Sequence, residues 1–516
     1  VAQRPSDRID EAQDAIAAAE RDGRLDQRCA PIVEALAAFL ASQVASYSIP
    51  AHKHGRGIDA ETLAVLGREP YLLDAPMHHG LDDRTSSKQV LAHAQSLAAD
   101  AFGAEQCLFS TNGSTLSVQL GLLAIAQPGE QVVIGRNAHK SMVSGIVLSG
   151  VEPVWVETEV DEERACTHTV TAEAVARAFD QNPEARGAMV VSPTTYGAVA
   201  DVRGLAEVCH ERGVPLVIDD AWGASFAFHP ELPPSALAEG ADLQIASFHK
   251  SLNAIMQTSM LAVQGDRIDR DRLQLAMDSF ETTSTSVLLI ASMDAARRQM
   301  AVEGERLLGE TLRLARRART EIGALPGLDV FGLDLVGRPG VAALDETKIV
   351  VDLRSFGMTG YDAADWLWAE QRIGPELADH QHLLFLVTVG DDDHSVDQLV
   401  RGVRALAEHG AGAPPIPPVA TAAQLLEGAE YPMHPRQALL GAARKVPLLE
   451  AVGELAAEPV SPYPRGVPVL IPGQRVTRAI VDFLHAGVGE GMLVEGAADP
   501  SLEQLRVVDQ ERNPIP

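Results

Sequence analysis

Three short segments carry residue types whose spacing suits chemistry on an amine. The first is Ser247-Phe248-His249-Lys250, where the lysine follows directly on the apolar run Leu243 to Ser247. An ammonium avoids burial unless it is paired, and the end of a strand is where open α/β sheets place their ligands. A lysine so placed suits nucleophilic catalysis through a Schiff base with a carbonyl group. The plain alternative is a side chain that snorkels to solvent. The second segment is Val217-Ile218-Asp219-Asp220-Ala221-Trp222, in which Asp219 ends another apolar run. A carboxylate beside a heterocyclic nitrogen keeps that nitrogen protonated, as an electron-sink cofactor requires. Ala221 is small enough to lie against a ring face, although an aspartate here would also serve as a helix cap.

The third segment, Ser110-Thr111-Asn112-Gly113-Ser114-Thr115, precedes the helical run Leu116 to Ala126. A glycine followed by hydroxyls at a helix start offers backbone N–H groups, side-chain donors and the positive dipole end to a phosphate. Ordinary capping by Ser114 has the same appearance. His139, in Arg136-Asn137-Ala138-His139-Lys140, follows the apolar run Gln131 to Gly135 and is placed to stack on a ring. An amine, a ring-nitrogen carboxylate and a phosphate cradle together point to pyridoxal 5'-phosphate.

Short apolar runs position these residues. Gln131 to Gly135, Gly187 to Ser192, Pro215 to Asp219, Leu243 to Ser247 and Met260 to Gln264 are expected strands, with helices such as Gly204 to Arg212 between several of them. Apolar strands alternating with helices predict an α/β layer with a mostly parallel sheet. Residues 1–45 are expected to form a helical arm and 46–330 the large unit. A small α/β unit over 331–410 carries expected strands at Lys348 to Leu353 and Leu383 to Val389. The composition of Gly410 to Pro418 marks a linker, placed at 411–421, before a C-terminal unit over 422–516.

These segments resemble the Orn/Lys/Arg decarboxylase family of fold-type-I pyridoxal-phosphate enzymes, in the short form without an N-terminal receiver-like domain. Ser247 to Leu261, SFHKSLNAIMQTSML, is similar to the family's STHKxxxxxxQSSML. Pro50-Ala51-His52-Lys53-His54-Gly55 is similar to PGHKxG, and Tyr463 to Gln474, YPRGVPVLIPGQ, to YPPGIPxxxPGE. The resemblance implies a large domain with the aspartate aminotransferase (fold type I) architecture, a small α/β domain and a C-terminal α+β domain. It implies that Lys250 holds the cofactor, that Asp219 binds the pyridine nitrogen with Ala221 and Trp222 nearby, and that His139 stacks on the ring. Gly113, Ser114, Thr115, Ser247 and His249 would contact the phosphate, with His249 also a proton donor. Thr283 and Ser284 would reach the phosphate of a neighbouring subunit. Glu450 and Glu458 would read the far end of a cationic substrate, with surface ion pairing as the alternative.

The implied reaction is decarboxylation of arginine, lysine or ornithine to the corresponding amine, a step of polyamine biosynthesis. Several positions depart from the family pattern: Phe248 replaces a Thr, Thr285 and Val287 replace a Pro and a Tyr, and Gln474 replaces a Glu. They leave open a rival reaction of the same cofactor (oxidation, elimination or aldol cleavage) and, behind it, a non-catalytic regulatory relative.

Composition is consistent with this expectation. The 516 residues exceed one compact core. A formal net charge of −29 disfavours a nucleic-acid partner and suits the approach of a cationic amino acid, with solubility alone as the plain alternative. Apolar runs fall far short of a membrane span, and the first 28 residues lack a signal-peptide core. Cys29, Cys107, Cys166 and Cys209 show neither disulfide nor metal-ligand spacing, so no metal is expected and a cytoplasmic setting is. A homodimer or dimer-based tetramer is the assembly implied by the resemblance.

Overall fold

The computed structural model describes residues 25–76, 81, 89–412, 414–416, 422–426, 428–462 and 466–515. Most of the expected helical arm, residues 1–24, lies outside these, as do Tyr463, Pro464 and Arg465 of the C-terminal motif.

The centre is a seven-stranded sheet. Its strands are β1 (Gln106–Ser110), β2 (Gln131–Gly135), β3 (Glu152–Val156), β4 (Ala188–Val191), β5 (Leu216–Asp219), β6 (Leu243–Ser247) and β7 (Ser259–Val263). Their spatial order is β1-β7-β6-β5-β4-β2-β3. Pairing is parallel throughout β6-β5-β4-β2-β3, and β7 runs antiparallel to both β6 and β1. Alternate residues of each strand face opposite layers. In β2, Val132 and Ile134 join one core and Val133 another; in β5, Val217 faces one side while Leu216 and Ile218 face the other. Because helices cover both faces, every position of β5, β6 and β7 is buried, and the interior strands read as largely apolar runs.

Sequence analysis placed five of these strands to within a residue or two and left out β1 and β3. Those two form the edges of the sheet. Edge strands tolerate what interior strands do not, and β3 holds Pro153 while β1 begins with Gln106. The mostly parallel fold stands, with β7 as its one reversed strand.

A helix of 37 residues, Val287–Gly323, follows, about 55 Å long at the standard rise. Its first half packs in the large core through Val287, Ile290 and Met293, and its second half in another core through Leu314, Ala318 and Ile322. That second core covers a four-stranded antiparallel sheet ordered Asp329–Val330, Lys348–Asp352, His382–Leu386, Leu377–Ala378. Further along the chain, Ala443–Pro447 pairs with Gln504–Val508, and the helix Arg478–Gly489 packs behind them.

The N-terminal helix Pro31–Ala41 is held to the long helix by a buried ion pair. Arg297 and Asp294 are both fully buried; Arg297 also donates to the carbonyls of Gln27 (2.9 Å) and Cys29 (2.7 Å), and Asp294 accepts from the Ile32 N–H (2.9 Å). Removing one partner strands the other's charge in the interior. Asp294→Ala is therefore expected to cost roughly 3–5 kcal/mol, and Asp294→Leu/Arg297→Met to recover most of it. Urea denaturation of both variants checks this.

Candidate active site

The carboxyl ends of the parallel strands open on one cavity of about 410 Å³. Asp219 ends β5, Ser247 ends β6, and the segment after β2 brings Asn137 and His139. Lys250 lies in the short helix Phe248–Ser251 that follows β6 directly. Gly113, Ser114, Thr115, His139, Asp219, Ala221, Trp222, Ser247, His249 and Lys250 all line the same cavity, as the sequence predicts.

Asp219 is buried, its Oδ1 has no hydrogen-bond partner, and burial pushes its carboxyl up to about 6 against the pull of Lys250. An unpartnered buried carboxylate oxygen is costly and calls for a donor from a ligand. A protonated ring nitrogen meets that need. The Lys250 amine is pulled below its usual range by burial, opposed by Asp219 and Glu376, and its Nζ lies 4.2 Å from the centroid of the Trp222 ring. A less basic amine is the form that attacks a carbonyl.

His139 is held at Nδ1 by the N–H of Ser141 (3.2 Å) and faces the Ser141 hydroxyl at 2.8 Å. Burial, then the nearby Lys250 and Lys140, drive its pKa down to about 3. The imidazole is accordingly neutral at any working pH, a flat ring suited to stacking. His249 donates through Nδ1 to the Thr258 carbonyl (3.0 Å), and burial lowers its pKa as well.

Gly113 opens the helix Gly113–Ile125 with φ +70, and its N–H donates to the Gln257 carbonyl (2.9 Å). The N-cap Asn112 makes no side-chain cap, so the first-turn N–H groups are not satisfied from there. Ser114 and Ser247 hydrogen-bond to each other, Ser114 donates to Ser259 (3.1 Å), and Ser259 bonds Ser117 (2.9 Å). Behind them, the buried carboxylate of Glu281 accepts from Ser110 (2.6 Å) and Thr111 (3.0 Å), fixing the loop. Hydroxyls clustered at an uncapped helix start fit a phosphate.

The C-terminal part of the chain closes the cavity. Gly466 lies so near the His139 ring that an added Cβ would come within 2.4 Å of Nε2, and its φ is +65. Its carbonyl accepts from the Lys140 N–H (2.7 Å). Arg136 secures this contact by donating to the Tyr431 hydroxyl (2.8 Å), the Pro468 carbonyl (3.0 Å) and Gln474 Oε1 (3.2 Å). Gln474, fully buried, thus holds the two parts together and its replacement of a Glu does not bear on the substrate. Phe248 is likewise buried, stacked 5.6 Å from Phe102, and fills core beneath the cavity.

Not every expected residue arrives. Glu450 is exposed and does not line the cavity. Glu458 is buried, but its carboxylate accepts from the N–H groups of Ala498 (2.7 Å) and Arg506 (2.8 Å), a structural use. Thr283 and Ser284 are exposed and outside this cavity, where the expectation of contact with a neighbouring subunit's phosphate does not require them. Conversely, Glu376 and Asn137 line it without having been singled out. Glu376 precedes the two-residue strand Leu377–Ala378, and a loop glutamate in an acidic chain carries no signal of its own.

Fold and cavity together define a fold-type-I pyridoxal-phosphate enzyme. Residues 30–336 match the family model for the Orn/Lys/Arg decarboxylase major domain, and residues 420–489 that for its C-terminal domain. The chain belongs to the Orn/Lys/Arg decarboxylase family. It is 34% identical over 488 residues to the arginine decarboxylase of Bacillus subtilis, covering 95% of this chain and 99% of that protein. It is 35% identical over 485 residues to the arginine decarboxylase of Halalkalibacterium halodurans, covering 94% and 98%. The solved lysine decarboxylase A of Pseudomonas aeruginosa shares the fold with a TM-score of 0.76 at 22% identity, over 93% of this chain and 80% of that one. Among the described residues, no helix is long and apolar enough to cross a membrane.

The charge on Asp219 has a cost without its ligand. An acid whose folded pKa is raised holds its proton more tightly in the native state, so stability falls as pH climbs from about 4 through 6. Asp219→Asn in the cofactor-free protein is expected to stabilise by about 3 kcal/mol at pH 8 and by nothing at pH 4. Urea denaturation at the two pH values checks it; an equal difference at both would contradict the assignment.

Proposed function

We propose that the protein catalyses pyridoxal-phosphate-dependent decarboxylation of a basic amino acid, with arginine the preferred substrate and agmatine the product. The observation that carries the reading is the buried, unpartnered oxygen of Asp219 in the same cavity as the Lys250 amine. The names of the two bacterial relatives at 34% and 35% identity support arginine. The net charge of −29 supports a cationic substrate, whose approach it assists.

Bound pyridoxal phosphate supplies an electron sink for the pair released when the bond from Cα to the carboxylate breaks. In this reading Lys250 would hold the cofactor through its Nζ. Asp219 would keep the ring nitrogen protonated, and His139 would offer its flat imidazole to the ring. Ala221 and Trp222 border the site, and Gly113, Ser114, Thr115, Ser247 and His249 hold the phosphate. His249 and Lys250, both on the cavity lining, would be the proton donors to Cα. Gly466, lying against His139, would hold that ring in place, and the neighbouring Val467 borders the cavity. The units 46–330, 331–410 and 422–516 would supply the cradle, Glu376 and Gly466 respectively. Working as a homodimer or dimer-based tetramer in the cytoplasm, each subunit would offer Thr283 and Ser284 to its partner's phosphate.

Borohydride reduction of the protein mixed with pyridoxal phosphate, followed by peptide mapping, is expected to place a pyridoxyl group on Lys250. Assays with arginine, lysine, ornithine and acidic amino acids are expected to release carbon dioxide fastest from arginine. Absence of the adduct removes the cofactor assignment, whereas consumption of an amino acid without carbon dioxide assigns another reaction to the same scaffold.

A further inference from the structure

A second chamber of about 350 Å³ adjoins the cofactor cavity. Asn137, Val191, Thr195 and Val467 line both spaces and so form the throat between them. Its walls are largely apolar and come from all three parts of the chain, with Leu426, Val469 and Phe483 among them. Arg136 and Asn137, with Val467 and Val469 of the Tyr463 to Gln474 motif, are on its lining, whereas the expected acidic pair Glu450 and Glu458 does not reach it.

Three polar side chains on this lining have unmet hydrogen-bonding capacity. Gln381 is 3% exposed and its Oε1 has no partner. The Nε2 of His380 is buried without a partner, while its Nδ1 lies 3.0 Å from Glu490. In the tautomer whose Nδ1–H donates to that carboxylate, Nε2 carries a lone pair. At the throat, both amide atoms of Asn137 are unpartnered and the residue is 9% exposed. Buried polar atoms left unpaired are costly, and their gathering on one lining asks for a ligand that pairs them.

The chemistry of that ligand follows from the atoms. Gln381 Oε1 and His380 Nε2 are acceptors, so the complement is a group rich in N–H donors. Apolar walls between them and the throat suit a chain of methylenes. A guanidinium presents five donors and no acceptor, on a stem of that kind. We infer that this chamber receives the side chain of the substrate: its stem passes Asn137 and its distal cation is read by Gln381 and His380.

The inference rests on the proposed decarboxylation and deepens it. Specificity then comes from the acceptors of Gln381 and His380, because of the carboxylates on the same lining Asp379 is engaged by Tyr196 and His382, and Glu490 by His380. A site built to hydrogen-bond a substrate group rejects an analogue lacking it, because its polar atoms are left unpaired. A single carboxylate would attract any ammonium of suitable length, whereas two separated acceptors favour the planar fork of arginine over the point charge of lysine.

The test uses the enzyme loaded with pyridoxal phosphate and the variants Gln381→Leu and Gln381→Glu. Losing an acceptor to a charged donor is expected to lower kcat/KM for arginine roughly tenfold to a hundredfold in Gln381→Leu, mainly through KM. Norleucine, of similar stem but uncharged, is expected to be turned over no less well by that variant than by the parent. Gln381→Glu, which keeps an acceptor, is expected to restore arginine. Calorimetric binding of agmatine should weaken by the same factor in Gln381→Leu, while the visible band of the bound cofactor and the melting temperature stay unchanged. If the parent decarboxylates arginine and Gln381→Leu affects arginine and norleucine alike, or neither, this chamber does not read the cation. A parent enzyme that releases no carbon dioxide from any amino acid overturns instead the reaction on which the inference rests.

Discussion

Two groups of opposite sign, Asp219 and Lys250, share one buried cavity without forming a salt bridge, and the surrounding architecture is what keeps them apart. Left to collapse on each other, the two would satisfy their charges locally and leave nothing for a ligand. The parallel strands β5 and β6 fix the two chain ends from which the groups project, and pairing of Val217, Ile218 and Asp219 with Leu243, Gln244 and Ile245 leaves no freedom to slide. Trp222 beside Lys250 adds a ring face for the amine to rest on. Asp219 consequently retains an unpaired oxygen, and the amine stays less basic than a free lysine. Such strain is what stabilised proteins discard and binding sites keep.

Closure of the cavity depends on a contact between distant parts of the sequence. Arg136 follows β2 yet donates to Tyr431, Pro468 and Gln474, while Gly466 lies on the ring of His139, three residues beyond Arg136. The left-handed φ and the tight approach leave room for glycine alone at that position. Trp155 and Tyr431 lie beside the guanidinium, 5.5 and 6.0 Å from their ring centroids. Cofactor chemistry and the packing of the C-terminal part are thus secured by a single four-residue stretch, Arg136 to His139.

Much of this was legible beforehand because the residues concerned sit at the ends of interior strands. Apolar runs of β2, β4, β5, β6 and β7 stand out against their surroundings, so Asp219 and Lys250 could be placed at strand ends by counting. The two edge strands were not legible, since Gln106 and Pro153 are tolerated where one side lacks a neighbour. Glu450 and Glu458 matched a pattern of types but not a geometry: one faces solvent and the other caps backbone N–H groups. Glu376, Gln381 and His380 were invisible for the opposite reason. They come from the ends and turns of short strands in the four-stranded sheet, and only folding brings that sheet's loop against the ends of β4 and β5. Local pattern finds a residue's element; it does not find which loop of another unit will face it.

The helix Val287–Gly323 is unbroken and contains no proline. Its two glycines at the middle are pressed by neighbours, Gly304 by Phe228 and Gly309 by His229, so neither is a free joint. A helix bends sharply only at a proline, an insertion or a comparable defect. The central sheet and the four-stranded sheet therefore share one unbroken helix, which offers no proline or free glycine at which to bend. Passage between the two chambers would then rest on rotation of the side chains lining the throat, Asn137, Val191, Thr195 and Val467, a local motion on the timescale of single rotamers.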